Sequence, residues 1–266
     1  LKSAPNRRHL SNDKLTIAVA LGTAGYHCAH MGKWHLGGQR NPLEQGFHLN
    51  VGGGHNGSPR GGYFPPYRYG IFEKKDGEIE SSWMDEPKGG RYLTDRFTDE
   101  AISYVKRPRE QPFFLYLSYH NPHTPIQAPA DLAKKYRDRE TGRINREYAA
   151  MVEALDANIG RFLKALDESG QAENTLVLFF SDNGGLRGVT TNEPLRGGKR
   201  SFHEGGIRMP MVARWPGHTK PGTTCSVPVH GVDLLPTFAD AAGADLPGNY
   251  PVDGDSIVPL LEGREA

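Results

Sequence analysis

A three-layer α/β domain is the fold class this sequence predicts, and three observations predict it. Short apolar runs recur at strand length, FFLYLS at 113–118 and TLVLFF at 175–180 being the clearest. Amphipathic helical segments alternate with them, the pattern of a sheet covered by helices on both faces. Clusters of polar, chemically active residues follow directly on these runs, where open α/β sheets gather their sites beyond the carboxyl ends of the strands.

Residues 15–24 are the first expected helix, opened by Ser11, Asn12 and Asp13 and stopped by Gly25. A short buried strand is expected at 28–32. Residues 41–91 are rich in Gly, Pro and Tyr and lack periodicity, so they are expected as surface loops and small turns. Loops that long in a compact domain are usually functional. Helical periodicity returns at 94–106, with Phe97, Ala101, Ile102, Tyr104 and Val105 largely on one face and Thr94 as N-cap. Pro108 and Pro112 close the connection into the strand at 113–118. The clearest helix is 143–167, where Tyr148, Met151, Val152, Leu155, Ile159, Phe162, Leu163 and Leu166 trace one stripe, and Gly170 ends it. The unbroken apolar run at 175–180 predicts a central strand covered on both faces. A strand at 209–215, a helix at 229–242 with Asp233 near its start, and a last helical turn at 257–261 complete the pattern. There is no internal repeat and no low-complexity tract.

The 266 residues suffice for one large α/β domain or two small ones. Lys and Arg total 32 against 31 Asp and Glu, so no general pull toward nucleic acid or an anionic membrane exists, and any anion must be recognised locally. The two cysteines, Cys28 and Cys225, are too few for a disulfide framework and are expected as free, buried thiols. No apolar run approaches a membrane span. Residues 1–13 are polar and start with Leu; they are expected as a cut end, which leaves the compartment open.

Three clusters carry the candidate chemistry: Gly32-Lys33-Trp34-His35-Leu36-Gly37, His120-Asn121-Pro122-His123-Thr124-Pro125, and Ser181-Asp182-Asn183-Gly184-Gly185. Asp182 and Asn183 offer adjacent carboxylate and amide oxygens, the ligand type of hard cations such as Ca2+ and Mg2+, although Asp-Asn-Gly by itself is also an ordinary turn. Lys33, His35, His123 and Lys199 are cationic or able to become so. Each alone is as ordinary as a solvated lysine or a loop histidine. Together they make a basic set beside a metal, which suits an oxyanion ester whose charge must be held and whose leaving oxygen must be protonated. Trp34 is expected in packing, and Glu204 with Arg208 as a structural ion pair or cap.

These blocks resemble the type I sulfatases of the alkaline-phosphatase-like superfamily. The segment Gly25-Tyr26-His27-Cys28-Ala29-His30-Met31-Gly32-Lys33-Trp34-His35-Leu36-Gly37 is similar to the second sulfatase signature, with its GKWHLG core. Asn121-Pro122-His123-Thr124-Pro125, Ser181-Asp182-Asn183-Gly184-Gly185, Arg196-Gly197-Gly198-Lys199-Arg200-Ser201, Glu204-Gly205-Gly206-Ile207-Arg208 and Val232-Asp233-Leu234-Leu235-Pro236-Thr237 recur in the family in this order. The resemblance covers nearly the whole chain. It implies a three-layer αβα sandwich with a mostly parallel central sheet, here truncated, and hydrolysis of sulfate esters, carbohydrate sulfates being the expected substrates. It further implies Asp182 and Asn183 as metal ligands, usually for Ca2+, with Mg2+ the alternative. Lys199 matches the lysine between sulfate and leaving oxygen, His123 the second leaving-group donor, Lys33 a clamp on sulfate and nucleophile, and His35 the histidine that helps the covalent intermediate collapse. Lys33, His123 and Lys199 are thus the expected substrate-binding set. The family nucleophile is a hydrated formylglycine made from Cys or Ser in a C/S-x-P-S/A-R motif.

The chain departs from that pattern at both ends. The nearest counterpart of the nucleophile motif is Ser3-Ala4-Pro5-Asn6-Arg7, with Asn6 at the fourth place, and the aspartate pair that precedes the motif in the family is absent. Cys28 lies inside the second signature without the conversion motif and is not expected as a nucleophile. The family's smaller C-terminal subdomain follows a segment like Val252-Asp253-Gly254-Asp255-Ser256 and is not found before Ala266. Residues 1–266 are therefore expected as a partial sulfatase catalytic domain, with a periplasmic or secreted location implied by the family alone. The expected partner is a sulfated small molecule or carbohydrate, with no nucleic acid and no membrane span. Two other readings stay open: an inactive sulfatase-like remnant that binds anions, and a phosphodiester or phosphonate ester hydrolase of the same superfamily. Gly52-Gly53-Gly54-His55-Asn56-Gly57-Ser58 and Gly61-Gly62-Tyr63-Phe64 are expected in a loop over the pocket, as candidate substrate contacts.

Overall fold

The structure, a computed structural model, describes residues 9–11, 13–37, 41–59, 61–67, 71–73, 79–81 and 90–264. Its chain forms two compact units, Leu1–His120 with Thr224–Ala266, and Asn121–Thr223. The segment Ser3-Ala4-Pro5-Asn6-Arg7 lies outside the described residues.

In the first unit, helix α1 (Ile17–Thr23) is capped by Thr16, whose hydroxyl accepts from Val19 N at 3.1 Å and donates to Gln45 O at 2.7 Å. The cap therefore lies later than Ser11-Asn12-Asp13, because Thr16 serves two backbone groups at once. Gly25, at φ 83°, takes the left-handed turn that leads from the helix into β1 (His27–Gly32). Residues 41–91 are less irregular than expected. They contain a 3-10 turn (Pro42–Gln45) with an Asn41–Glu44 capping box, strand β2 (Leu49–Val51), and the antiparallel pair β3 (Ile71–Glu73) and β4 (Ile79–Ser81). Helix α2 (Leu93–Lys106) then leads to β5 (Phe113–Ser118).

The sheet order is β2-β1-β5, all parallel, with β1 at the centre and register running from His27↔Phe113 to Gly32↔Ser118. Helix α2 makes the crossover that parallel neighbours require. Its buried face is Leu93, Thr94, Phe97, Thr98, Ala101, Tyr104 and Val105, the expected stripe except Ile102, which is half-buried. Thr94 is not the N-cap. It is buried inside the first turn, where its carbonyl accepts the Thr98 hydroxyl at 2.8 Å. β1 is wholly buried from Cys28 to Gly32, as a central parallel strand should be.

The second unit begins with α3 (Ala130–Arg137), which carries no buried residue and so left no apolar stripe to read in the sequence. It packs on α4 (Arg146–Glu168), helped by a Lys135–Glu153 ion pair. The deepest line of α4 is Ala150, Met151, Ala154, Asn158, Ala165 and Leu166. Small residues let the neighbouring backbone approach there, whereas Val152 from the expected stripe is exposed. Strand β6 (Val177–Phe180), helix α5 (Glu204–Ile207) and strand β7 (Met211–Arg214) follow. β6 overturns one expectation. Among the described residues it pairs only with β7, antiparallel, from Val177↔Arg214 to Phe180↔Met211, and Phe179 and Phe180 are exposed. An apolar run fixes strand type but not its neighbours.

The chain returns to the first unit through a 3-10 turn (Gly231–Asp233), α6 (Leu234–Ala242) and α7 (Val258–Leu261). Asp233 closes a capping box with His230 and accepts from Asp255 N, which pins the last segment. Among the described residues no helix is long and apolar enough to cross a membrane.

Candidate functional site

In the first unit, the carboxyl ends of β1 and β5 set the site. Gly32 adopts φ 111°, and a Cβ there would lie 2.1 Å from Ser118 O. Only glycine lets β1 run this close to β5. Lys33 N then donates to Ser118 O at 2.7 Å, and the Ser118 hydroxyl donates to Lys33 O at 2.7 Å. Lys33 is thus held by its backbone, half-buried, while Trp34 is buried and packs edge-on against Phe47 at 5.9 Å. Trp34 belongs to the core, as expected.

His35 is exposed and sits in the left-handed region at φ 57°, sparsely used by non-glycine residues. Two features of the 52–58 loop hold it there. His35 N donates to Gly54 O at 3.1 Å, and the imidazole lies against Gly57, where a Cβ would come within 2.3 Å of the ring. This loop therefore supports His35 directly. Tyr63, by contrast, is fully buried and stacks on Tyr92 at 5.3 Å, so it is a core residue rather than a substrate contact.

In the second unit, Asp182 and Asn183 follow β6 on a turn where the Ser181 hydroxyl donates to Asn183 O at 3.1 Å. Glycines join this turn to the Lys199 segment. Gly184 N donates to Gly206 O at 3.1 Å and Lys199 N donates to Gly185 O at 3.0 Å. A Cβ on Gly184 would lie 1.8 Å from Gly205 O, and one on Gly206 would lie 2.1 Å from Ser201 O. Asn192, absent from the expected set, is the linchpin. Its Oδ1 accepts from Gly185 N at 2.9 Å, and its Nδ2 donates to Gly185 O at 3.1 Å and Gly197 O at 3.3 Å. Asp182, Asn183 and Lys199 thereby share one backbone platform. Glu204 and Arg208 pair at 3.3 Å on α5, the structural ion pair expected.

His123 is half-buried in the second unit, and its Nδ1 donates to Thr124 O at 2.8 Å. A carbonyl can only accept, so Nδ1 carries a proton.

Asp182 and Asn183 supply oxygen donors, which fit a hard cation, but they make only two of the roughly six to eight oxygens that Ca2+ takes. Among the described residues no group of three His, Cys, Asp or Glu side chains converges. Cys28 is no nucleophile. It is buried, its Sγ donates to Ala18 O at 3.4 Å, and burial pushes its thiol up to about 11. Cys225 is free and exposed, not buried as expected. At pH 8 only about one Cys28 in a thousand is thiolate. An aromatic disulfide reagent should therefore label Cys225 quickly and Cys28 only on unfolding, as read by peptide mass spectrometry; equal rates would contradict the burial of Cys28.

A sulfatase family model matches residues 2–244. The chain belongs to the sulfatase family. It is 33% identical over 303 residues to a sulfatase of Formosa agariphila, covering 95% of this chain and 54% of that protein. It is 32% identical to human arylsulfatase A, covering 97% of this chain and 53% of that one. Among solved structures, Ps i-CgsB in complex with k-i-k-neocarrahexaose superposes with a TM-score of 0.79 at 35% identity, over 96% of this chain and 59% of that one. This sulfatase chain thus spans about half the length of the curated relatives it matches. Its fold is alkaline-phosphatase-like, an α/β fold with a parallel sheet, as the sequence led us to expect.

Proposed function

We propose that the whole protein is a sulfuric ester hydrolase acting on sulfated carbohydrate, and that residues 1–266 form part of its catalytic domain. The observation that carries this reading is the shared platform of Asp182, Asn183 and Lys199, where backbone bonds to Gly185 bring a hard-cation turn beside a lysine. The saccharide-bound state of the 35% identical Ps i-CgsB supports a carbohydrate substrate.

Asp182 Oδ and Asn183 Oδ1 would hold a hard divalent cation, which when bound supplies positive charge against the sulfate oxygens. A hydrated formylglycine, the nucleophile the family resemblance implies, would supply the attacking oxygen. The remaining work falls to this chain's own side chains. Lys33 and Lys199 neutralise charge on the sulfate group. As the bond from sulfur to the ester oxygen breaks, that oxygen takes a proton from Lys199 or from His123 Nε2, and the alcohol departs. His35 accepts the proton whose loss lets sulfate leave.

The test is release of inorganic sulfate by the whole protein from sulfated oligosaccharide and from 4-nitrophenyl sulfate, with 4-nitrophenyl phosphate and a phenylphosphonate ester in parallel. Sulfate release that falls on chelation and returns with Ca2+ is expected. Lys199→Ala should lower kcat/KM about 10²- to 10³-fold, the usual cost of one charge-stabilising donor. Turnover of the phosphorus esters alone would assign the site to phosphoryl chemistry, and no turnover of any ester would leave an anion-binding remnant.

A further inference from the structure

His30 is a polar residue in the middle of a wholly buried strand, between Ala29 and Met31. Such a position normally holds an aliphatic side chain. Its imidazole is fully buried and boxed by Trp34, Phe47 and Tyr116, with ring centroids 5.3 to 5.5 Å away. Both ring nitrogens are nevertheless engaged, and with different segments.

Nδ1 meets Asn50 Oδ1 at 3.0 Å. The orientation of that amide is fixed by Gly53, whose N–H donates to Oδ1 at 3.1 Å while Asn50 Nδ2 donates to Gly53 O at 3.0 Å. Oδ1 can only accept, so His30 Nδ1 carries the proton. Nε2 lies 3.2 Å from the Ser118 hydroxyl and 3.2 Å from Lys33 O. Burial holds the ring neutral, at about 4, so Nε2 is an acceptor, and the Ser118 hydroxyl shares its one proton between Lys33 O at 2.7 Å and Nε2 at 3.2 Å. A Cβ on Gly53 would come within 2.5 Å of this ring, so the loop closes directly on it. One residue further, Gly54 O accepts from His35 N.

We infer that His30 is a positioning residue for sulfate-ester cleavage, joining the loop that supports His35 to the backbone that carries Lys33. One face of the imidazole reaches Asn50, Gly53 and through Gly54 the His35 backbone. The other reaches the Ser118 hydroxyl and, through it, the Lys33 carbonyl. A core residue that merely filled volume would need neither bond. The inference rests on the sulfatase reading for its catalytic consequence, but not for its geometry.

Three variants of the whole protein test it: His30→Met, which keeps size and removes both polar bonds; His30→Asn, whose amide nitrogen restores the donor to Asn50; and Asn50→Ala, which cuts the same link from the loop side. With 4-methylumbelliferyl sulfate, His30→Met and Asn50→Ala should each lower kcat by roughly 10- to 100-fold, the cost of misplacing a reacting group by about an ångström. His30→Asn should recover most of that loss. The double variant His30→Met with Asn50→Ala should be no worse than the poorer single one, because both cut one connection. Normal kcat in His30→Met with only a lower melting temperature, or multiplicative losses in the double variant, would overturn the inference. Ring-nitrogen spectra of 15N-histidine-labelled protein give an answer independent of turnover. The His35 resonances should shift or broaden in His30→Met and return in His30→Asn; unchanged His35 resonances would overturn the positioning role even if no sulfate ester were hydrolysed. Loss of turnover in the parent protein alone would count against the sulfatase reading, while the His35 spectra would still decide this one.

Discussion

Gly184→Ala should be among the most damaging single-methyl changes this chain can take. The new Cβ would stand 1.8 Å from the Gly205 carbonyl oxygen and 3.1 Å from Gly206 Cα. Both obstacles are backbone, so no rotamer change can relieve them. The Gly184 N–H also donates to Gly206 O at 3.1 Å, and moving the strands apart to admit the methyl breaks that bond. Overpacking costs about 1–3 kcal/mol where side chains can yield, and a lost buried hydrogen bond adds about 1–3 kcal/mol. We expect a loss of at least about 3 kcal/mol in urea unfolding, together with loss of sulfate release as Asp182 and Lys199 come off their common platform. Gly160→Ala is the matched control. Gly160 lies within α4, a Cβ there meets nothing within 4 Å, and the chain is helical. The same methyl should stabilise by about 0.5–1 kcal/mol, through helix propensity and a less flexible unfolded chain. Equal effects at the two sites would mean that the packing of glycines between 184 and 206 does not hold the platform together.

The contrast between those two glycines also marks what the sequence can disclose. Motif order placed Asp182, Asn183 and Lys199 in one constellation, and the strand-to-turn pattern located the segments that bear them. Nothing in the local pattern separates Gly184, which no methyl can enter, from Gly160, which welcomes one, because the difference lies in a backbone twenty residues away. Asn192 escaped notice for the same reason. Its role consists of three bonds to Gly185 and Gly197, and a single Asn before a Pro-containing turn reads as loop chemistry. Helices α2 and α4 were legible because an amphipathic stripe is a local property. The partners of β6 were not, since an apolar run carries no information on which strand lies beside it. His30 did leave a signal: an ionisable side chain flanked by Ala29 and Met31 in a run of buried strand positions. Its meaning required Asn50 and Ser118, which lie 20 and 88 residues along the chain.

That buried imidazole should also make the fold acid-sensitive in a defined window. In the unfolded chain a histidine titrates near 6.5, whereas in the folded chain burial lowers His30 to about 4. The unfolded state therefore takes up the proton first as pH falls. Stability from this group is full above pH 6.5, declines as pH drops, and is exhausted below about pH 4. The shift corresponds to about 3 kcal/mol in total, of which about 2 kcal/mol is lost by pH 5. His27 acts in the same sense: burial first, then His48 and Arg109, lower its pKa. His30→Met isolates the His30 contribution. At pH 7.5 the variant should be less stable, since the ring's bonds to Asn50 and Ser118 are lost and each hydrogen bond contributes about 0.5–1.5 kcal/mol. Its disadvantage should shrink steadily on going to pH 5, because methionine has no proton to exclude, and the two stabilities should converge or cross. Urea unfolding of both proteins at pH 7.5, 6 and 5 measures the difference directly, with all other titrating groups cancelling between them. Parallel pH profiles would mean that the folded protein holds His30 with no penalty for its charge. That would mean that Lys33 O, 3.2 Å away, accepts from a protonated Nε2 and offsets the cost of burial, and the neutral hub between Lys33 and the His35 loop would have to be redrawn.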